Sequence, residues 1–228
     1  MPGTYLARLS GDVRSGLLSL GRQRVIRTNE HLTRQGDREM GVFLLKSAVS
    51  GSAVCAKVTR VAQNGSEALI GVRVAGDVIG EGAALRQDLI RSATVTACTD
   101  LLVQVIERRQ FLAYLDRNPE AWHALCALIT DRLDWANRRR ADFAAYDVKV
   151  RLVRVLLELA ETHGVPGPLG VDLGVAVSQE ELGRLIGAKP DAVGVALKAL
   201  KAKGLVTARY RGVRIRDLES LRRTADDD

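Results

Sequence analysis

The chain has 228 residues, 46% of them hydrophobic but only 4% aromatic, so its cores must be built from Leu, Val, Ile and Ala. Formal net charge is +7, from 34 Lys and Arg against 27 Asp and Glu, which favours nucleic acid or another polyanion as partner. A signal-like apolar run and any 18-residue apolar span are missing, so a cytoplasmic chain with no membrane partner is expected, in one large or two smaller domains.

The predicted elements start with short strands. VIRTNEHLTRQGD, 25–37, reads as a strand, a turn at Asn29-Glu30 and a second turn at Gly36-Asp37. GVFLLK, 41–46, is a buried strand, and SAVSGSA, 47–53, a loop. VCAKVTRV (54–61) and EALIGVRV (67–74) flank Asn64-Gly65, a pair that tolerates positive φ and predicts a hairpin. After the turn at Ala75-Gly76-Asp77 come VIG, SATVTA and LLVQVI as further strands. Short antiparallel strands at regular intervals predict a small barrel or jelly roll.

Among those strands lies GEGAALRQDLIRSATV, 80–95. Gly80 and Gly82 permit close backbone placement beside a small object, and AALR can form one helical turn whose amides face an anion. Arg91 brings a planar fork of donors to the same anion, while Glu81 accepts hydrogen bonds and suits a sugar hydroxyl. The segment fits a cradle for a phosphorylated ligand; a surface loop between two strands is the alternative. Cys55, Cys98 and Cys126 are widely spaced, with no CxxC pair, so neither structural zinc nor a disulfide framework is indicated. They read as small buried hydrophobes, with a meeting in space around iron and sulfur as the alternative. His31, His123 and His163 are equally scattered and suggest no triad or metal cluster.

From Pro119 to Phe143 the period changes. Trp122, Leu125, Ile129, Leu133 and Ala136 recur at three- and four-residue steps, an apolar seam on a long helix whose length favours pairing with a second copy. Packing on its own barrel is the alternative. Arg138, Arg139 and Arg140 are expected on the wet face of that helix. Asp147 is placed to cap VKVRLVRVLLELAETHG, whose Leu152, Val155, Leu156 and Leu159 face one way. The bend between Phe143 and Asp147 is the candidate hinge.

SQEELGRLIGAKPDAVGVALKALKAKG, 178–204, predicts two short helices with a tight turn. Ser178 and Glu181 form a capping box, Leu182, Leu185 and Ile186 an apolar face, and Gly187 a stop. Pro190 opens the second helix, Val193, Ala196, Leu197 and Leu200 bury its inner side, and Gly204 ends it. LVTARYRGVRI, 205–215, adds a hairpin around Arg211-Gly212, the wing that separates a winged helix-turn-helix from an ordinary helical hairpin. Lys189, Lys198, Lys201, Lys203, Arg209, Arg211 and Arg214 crowd this region at a density that fits DNA phosphates.

The complete order of elements resembles the Crp/Fnr family of bacterial transcription regulators, over nearly the whole chain. The cassette at 80–95, the RQGD motif at Arg34 to Asp37 and AYDVKVRL around the hinge carry the resemblance. It implies an α+β fold: a cyclic-nucleotide-binding-like β-roll or jelly roll over 1–117, a long dimerisation helix and hinge over 118–146, and a winged helix-turn-helix over 147–228. It also implies a non-enzymatic regulator whose partners are double-stranded DNA, a second copy of itself as homodimer, and RNA polymerase. Glu81 would hold a ribose 2′-hydroxyl, Arg91 and Ser92 a cyclic phosphate, and Gly80 with the amides of Gly82, Ala83 and Ala84 would complete the cradle. Cyclic AMP or cyclic GMP is the candidate effector. The implied DNA-contact set is Ser178, Gln179, Lys189, Asp191, Ala192, Lys198, Arg209 and Arg211.

Two departures shape the expected selectivity. Family members that bind cyclic AMP set a Thr-Ser pair of the dimer helix against adenine, where this chain has Ala136 and Asn137, beside Trp135. Asn137 is left as the base-facing candidate, able to donate and accept. Another effector, or an empty pocket in which Glu81 and Arg91 pair with each other, is the alternative. A common family recognition helix begins S-R-E-T-V and carries a second arginine near its middle; here Lys189-Pro190-Asp191-Ala192-Val193 and Val195 stand instead. The arginine fork for guanine is absent, leaving Lys189 and Lys198 for phosphate, Asp191 for cytosine and Ala192 for a thymine methyl. A competing reading is an effector-binding module that acts through protein contacts. The N-terminal cysteine cluster of the family's iron-sulfur branch has no counterpart here.

Overall fold

The computed structural model describes residues 3–38, 41–47, 54–86, 90–209 and 212–226. They form two compact units, Met1–Leu133 and Asp134–Asp228, whose boundary lies inside one long helix. Apart from Ser47, the expected loop at 47–53 lies outside the described residues.

After a short 3-10 turn, Leu6–Arg8, the first unit continues with α1 (Gly11–Leu18), then β1 (Arg22–Ile26), β2 (His31–Thr33), β3 (Gly41–Ser47), β4 (Ala56–Val61), β5 (Glu67–Arg73) and β6 (Val78–Ile79). A single-turn helix α2 (Glu81–Leu85), strands β7 (Thr94–Ala97) and β8 (Leu101–Glu107), and helices α3 (Arg108–Arg117) and α4 (Pro119–Ala145) complete it. Two antiparallel sheets result, in the orders β1-β8-β3-β6 and β2-β7-β4-β5. The continuous apolar run of β3 is explained by its position between two cores. Phe43 and Leu45 join Ile26, Val58, Val95 and Val103 between the sheets, while Val42 and Leu44 join Leu17, Phe111, Leu115 and Leu125 beneath the helices. Gly65, at φ 82°, turns the β4–β5 hairpin as Asn64-Gly65 predicts.

The apolar seam of α4 divides. Leu125 is fully buried with Ala121 and close to Ala124 and Leu128 in the roll's own core, and Trp122 packs partly against it. Ile129 and Leu133 instead remain 36% and 58% exposed, and Ala136 is exposed as well. The expected single seam is thus two faces, because α4 must first cover the roll. Tyr5 ties the chain's start to this helix, donating from its hydroxyl to the Ala121 carbonyl at 3.1 Å; burial raises the phenol above its ordinary range.

In the second unit, α5 (Val148–His163) starts at an Asp147 cap that accepts from the Val150 amide at 2.9 Å. Leu152, Val155, Leu156 and Leu159 are buried as expected. The three-arginine run is not uniformly wet. Arg138 and Arg140 are exposed, but Arg139 has only 12% of its side chain exposed, pairs with Glu158 and lies 5.0 Å from the Trp135 ring. Burial there lowers its pKa to about 10.

Hairpin strands β9 (Val165–Gly167) and β10 (Gly170–Asp172) precede α6 (Gln179–Ile186) and α7 (Pro190–Ala202). Strands β11 (Val206–Arg209) and β12 (Gly212–Ile215) and helix α8 (Leu218–Asp226) follow. The sheet order is β11-β12-β10-β9. The capping box is present in both directions: the Ser178 hydroxyl accepts from the Glu181 amide, and the Glu181 carboxylate from the Ser178 amide at 2.7 Å. Replacing Ser178 by Ala is expected to cost about 1 kcal/mol of stability, read from urea denaturation of the full chain.

Candidate functional site

The segment from Gly80 to Val95 is built around one buried arginine. Arg91 is 3% exposed, donates to the Gly41 carbonyl at 2.5 Å and the Gly80 carbonyl at 3.2 Å, and lies 5.6 Å from the Phe43 ring centroid. Its backbone is clamped by the RQGD turn: the Arg91 amide donates to the Asp37 carbonyl, and the Gly36 amide to the Arg91 carbonyl, both at 2.9 Å. Gly36 makes that turn possible at φ 89°. A motif distant in sequence therefore fixes the position of the arginine.

Gly80 is required for a different reason. At φ +87° a Cβ there would sit 2.2 Å from Arg91 Nη1 and 2.9 Å from the Gly41 carbonyl oxygen. Gly80→Ala is expected to destabilise the first unit by at least about 1 kcal/mol and to displace Arg91. Urea denaturation and nucleotide titration of the same variant check both effects.

Arg91, Gly80, Glu81, Gly82, Ala83 and Ser92 all line one cavity of about 150 Å³, together with Thr33, Arg73 and Arg132. Ala84 is adjacent, but its amide donates to the Gly80 carbonyl at 3.0 Å and its carbonyl accepts from Arg108 at 2.7 Å. It therefore cannot offer the free amide expected of it; the helical turn itself uses that donor. Asn137 is exposed on α4, belongs to the second unit and is not among the lining residues.

Glu81 and Arg91 do not pair with each other. Glu81 instead meets Arg132 of α4 (Nη1 to Oε1, 2.6 Å), a residue absent from the expected set. Arg132 also donates to the Val78 carbonyl at 3.0 Å and approaches Asp77 at 3.5 Å. Asp77 is itself oriented by the Val74 amide at 3.0 Å, in the turn at Gly76. Burial, with the Arg132 guanidinium nearby, lowers Arg73 to about 10. Three guanidinium groups and the Glu81 carboxylate thus line the cavity, with Asp77 behind Arg132, an arrangement suited to a ligand that is anionic at one end and hydroxylated at another. Nothing local in the sequence marks Arg132; only the packing of α4 on the roll brings it here.

The reader is a tight two-helix unit. Gly187, at φ 65°, ends α6, and the Ala188 amide closes the turn on the Gly183 carbonyl at 2.9 Å. Gln179 Nε2 donates to the Pro190 carbonyl at 2.8 Å, tying α6 to the start of α7. Val193, Ala196 and Leu200 are buried and Leu197 partly so, leaving Lys189, Asp191, Val195 and Lys198 exposed and Ala192 half-buried. Val195, at 71% exposure, is an apolar group in the open face of α7. In the wing, Thr207 pairs with Arg214 and Arg209 with Gly212. Arg214 forms a two-point pair with Asp172 at 3.0 and 2.9 Å, so it braces β12 on β10 and leaves the basic cluster. Arg211 and the side chain of Arg209 lie outside the described residues.

Among the described residues no helix is long and apolar enough to cross a membrane, and no group of three or more His, Cys, Asp or Glu residues is arranged to hold a metal ion. Two family models match: a cyclic nucleotide-binding domain over residues 23–118 and a Crp-like helix-turn-helix domain over residues 150–224. The chain is 30% identical over 176 residues to the cAMP-activated global transcriptional regulator Vfr of Pseudomonas aeruginosa, covering 75% of this chain and 78% of that one. It is 29% identical over 147 residues to the cAMP-activated global transcriptional regulator CRP of Escherichia coli, covering 64% and 69%. The fold is similar to the c-di-GMP responsive global regulator CLP of Xanthomonas campestris, with a TM-score of 0.75 at 22% identity over 91% of this chain and 100% of that one. A CooA mutant from Carboxydothermus hydrogenoformans gives 0.73 at 21% identity, covering 92% and 90%. An effector-type cavity on a β-roll, a two-helix reader with its wing and these relatives converge: the chain belongs to the Crp/Fnr family and is a DNA-binding transcription regulator.

Proposed function

We propose that the chain acts as a cytoplasmic, non-enzymatic homodimer in which a cyclic nucleotide at the Gly80–Ser92 cradle controls operator binding by the winged unit. The observation that carries this reading is the bond between Glu81 of the cradle and Arg132 of α4, at 2.6 Å. A cavity of about 150 Å³ is below the ordinary ligand-pocket range of roughly 300–1,000 Å³. A nucleotide therefore enters by displacing Arg132. Its ribose hydroxyl takes over Glu81, its phosphate meets Arg91 and Ser92, and the amides of Gly82 and Ala83 face the same anion.

Displacing Arg132 acts directly on the helix that carries the proposed dimer face, Ile129, Leu133 and Ala136. The ligand then shifts the population between two arrangements of that helix pair, to the extent that it binds one better. In the competent arrangement, two α7 helices meet successive major grooves about 34–36 Å apart. Lys189, Lys198, Arg209 and Arg211 are assigned to phosphates, Asp191 and Ala192 to base edges, and Ser178 and Gln179 to the flanking backbone. Asn137 is assigned to the nucleotide base on the family resemblance. RNA polymerase is the proposed further partner once DNA is bound.

Selection of genomic DNA fragments by the purified full chain, with and without cyclic AMP and cyclic GMP, tests this reading. Recovery of two-half-site fragments that rises with one nucleotide supports it. Equal recovery with every nucleotide favours the second reading, an effector-independent regulator whose cradle stays closed by the Glu81–Arg132 pair. No recovery at low salt overturns the proposed reader.

A further inference from the structure

The sheet β2-β7-β4-β5 brings together two cysteines that are 43 positions apart in the chain. The register of β4 on β7 pairs Ala56 with Ala97 and Lys57 with Thr96. Carried one residue outward, it sets Cys55 opposite Cys98, and the Cys98 amide donates to the Cys55 carbonyl at 2.8 Å. Ala56, Val58, Val95 and Ala97 point into the core between the sheets, so Cys55 and Cys98 share the opposite face. Opposed residues at a hydrogen-bonded antiparallel position stand about 5.5 Å apart at Cα, within the roughly 4.4–6.8 Å that a disulfide spans. The Cys55 amide donates to the Thr99 hydroxyl at 3.3 Å, so a side chain rather than a second backbone bond closes the last rung.

Both thiols are unbridged, and they differ in access. Cys55 is 1% exposed, whereas Cys98 is half-buried and its thiol makes a weak 3.8 Å contact with the Thr96 carbonyl of its own strand.

We propose that Cys55 and Cys98 are a reversible dithiol–disulfide pair, with Cys98 meeting the oxidant and Cys55 resolving it. With hydrogen peroxide as oxidant, the Cys98 thiol loses its proton and its thiolate attacks one oxygen; the O–O bond breaks, a sulfenic acid and hydroxide form, and the hydroxide takes up that proton to give water. The Cys55 sulfur then attacks the Cys98 sulfur; the S–O bond breaks, the S–S bond forms and a second water leaves. Two thiols lose two electrons and two protons, and the peroxide is reduced to two waters. A small-molecule thiol reverses the step by exchange, becoming a disulfide itself.

Cross-strand Cβ atoms stand about 4.5–5.5 Å apart, wider than the roughly 3.5–4.5 Å of a relaxed disulfide, so the bridge draws the strands together and reduces readily. It would enclose β5, β6, α2 and Arg91 in one covalent loop. It would also staple β4 to β7, whose Val58 and Val95 line the effector cavity. The inference is independent of which effector the cradle takes.

The test uses the reduced full chain, treated with stoichiometric hydrogen peroxide, unfolded, alkylated and mapped as peptides without reductant. The expected result is an intrachain Cys55–Cys98 linked peptide, joint loss of both alkylatable thiols, and recovery of both with dithiothreitol. Cys126, exposed on α4, is counted separately in the same map. Oxidation of Cys98 to sulfinic acid with Cys55 still a thiol overturns the proposal, as does retention of both thiols or linkage of either one to Cys126. The map requires no substitution at the pair, so a misfolded variant cannot decide the outcome. In Cys98→Ser, Cys55 should stay reduced under the same peroxide; its oxidation at the original rate overturns the order of attack.

Discussion

Replacing Ile129 and Leu133 together with glutamate is expected to give a folded monomer that has lost roughly 100- to 10,000-fold in DNA affinity. Both side chains are exposed in the single chain, at 36% and 58%, so charge there leaves the roll's core intact. Pairing two copies would instead bury four carboxylates without partners, which is prohibitive in an apolar seam. Leu125→Glu is the informative contrast, because Leu125 is fully buried and its replacement should unfold the first unit. Light scattering and a gel shift on the same samples separate the two cases. A double variant that stays dimeric, or that binds DNA like the original, contradicts the proposed interface.

Arg91→Ala should have the second large effect. Each charge-assisted bond to a nucleotide phosphate contributes about 1.5–3 kcal/mol, so losing one weakens binding by roughly one to two orders of magnitude. The same guanidinium also satisfies the Gly41 and Gly80 carbonyls, so stability should fall as well. Leaving a buried acceptor without a donor costs about 1–3 kcal/mol. Arg91→Lys separates the two contributions: it keeps the charge but lacks the fork that reaches both carbonyls. Calorimetric titration should rank nucleotide affinity as Arg91, then Lys, then Ala. Unchanged affinity in a folded Arg91→Ala chain would remove Arg91 from the proposed phosphate site.

How much of this was legible in the sequence depended on whether the signal was local. Asn64-Gly65, Asp147, the Ser178/Glu181 box, Gly187 and Pro190 each satisfy a backbone requirement at their own position, and each element boundary they imply is present. The short hairpin β9–β10 gave no such signal. Its VPG and GVD strands are rich in Pro and Gly, and Pro166 is tolerated because β9 is the edge strand of its sheet. The sequence reading also leaves α1, α3 and α8 out: α8 carries a local cap that it passes over, Asp217 accepting from the Ser220 amide at 2.9 Å, whereas α3 is held by packing on the roll. Phe111 and Leu115 of α3 illustrate this, both fully buried against the roll.

The cradle divides along the same line. Gly80, Glu81, Arg91 and Ser92 lie close together in sequence, and the structure places all four around one cavity. Arg132 lies 51 residues from Glu81, and only the crossing of α4 reveals the pair. The seam of α4 divides between the roll and an exposed face because a helical period reports which residues are apolar, not which neighbour covers them. Charge alone assigns Arg139 to solvent and Arg214 to DNA, while their pairing with Glu158 and Asp172 depends on elements distant in the chain.

The proposed function requires that occupancy of the cradle set the affinity of the reader for DNA. Its most direct test is a binding isotherm of the full chain on one selected DNA fragment at fixed salt, measured with and without saturating cyclic nucleotide. The same isotherms should be recorded for Arg91→Ala. One cyclic nucleotide should shift the midpoint by roughly 5- to 150-fold, as expected for an allosteric coupling of about 1–3 kcal/mol. In Arg91→Ala, at a nucleotide concentration that just saturates the original chain, that shift should shrink, while binding without nucleotide persists. Superimposable isotherms with and without a nucleotide that calorimetry shows to be bound would contradict it.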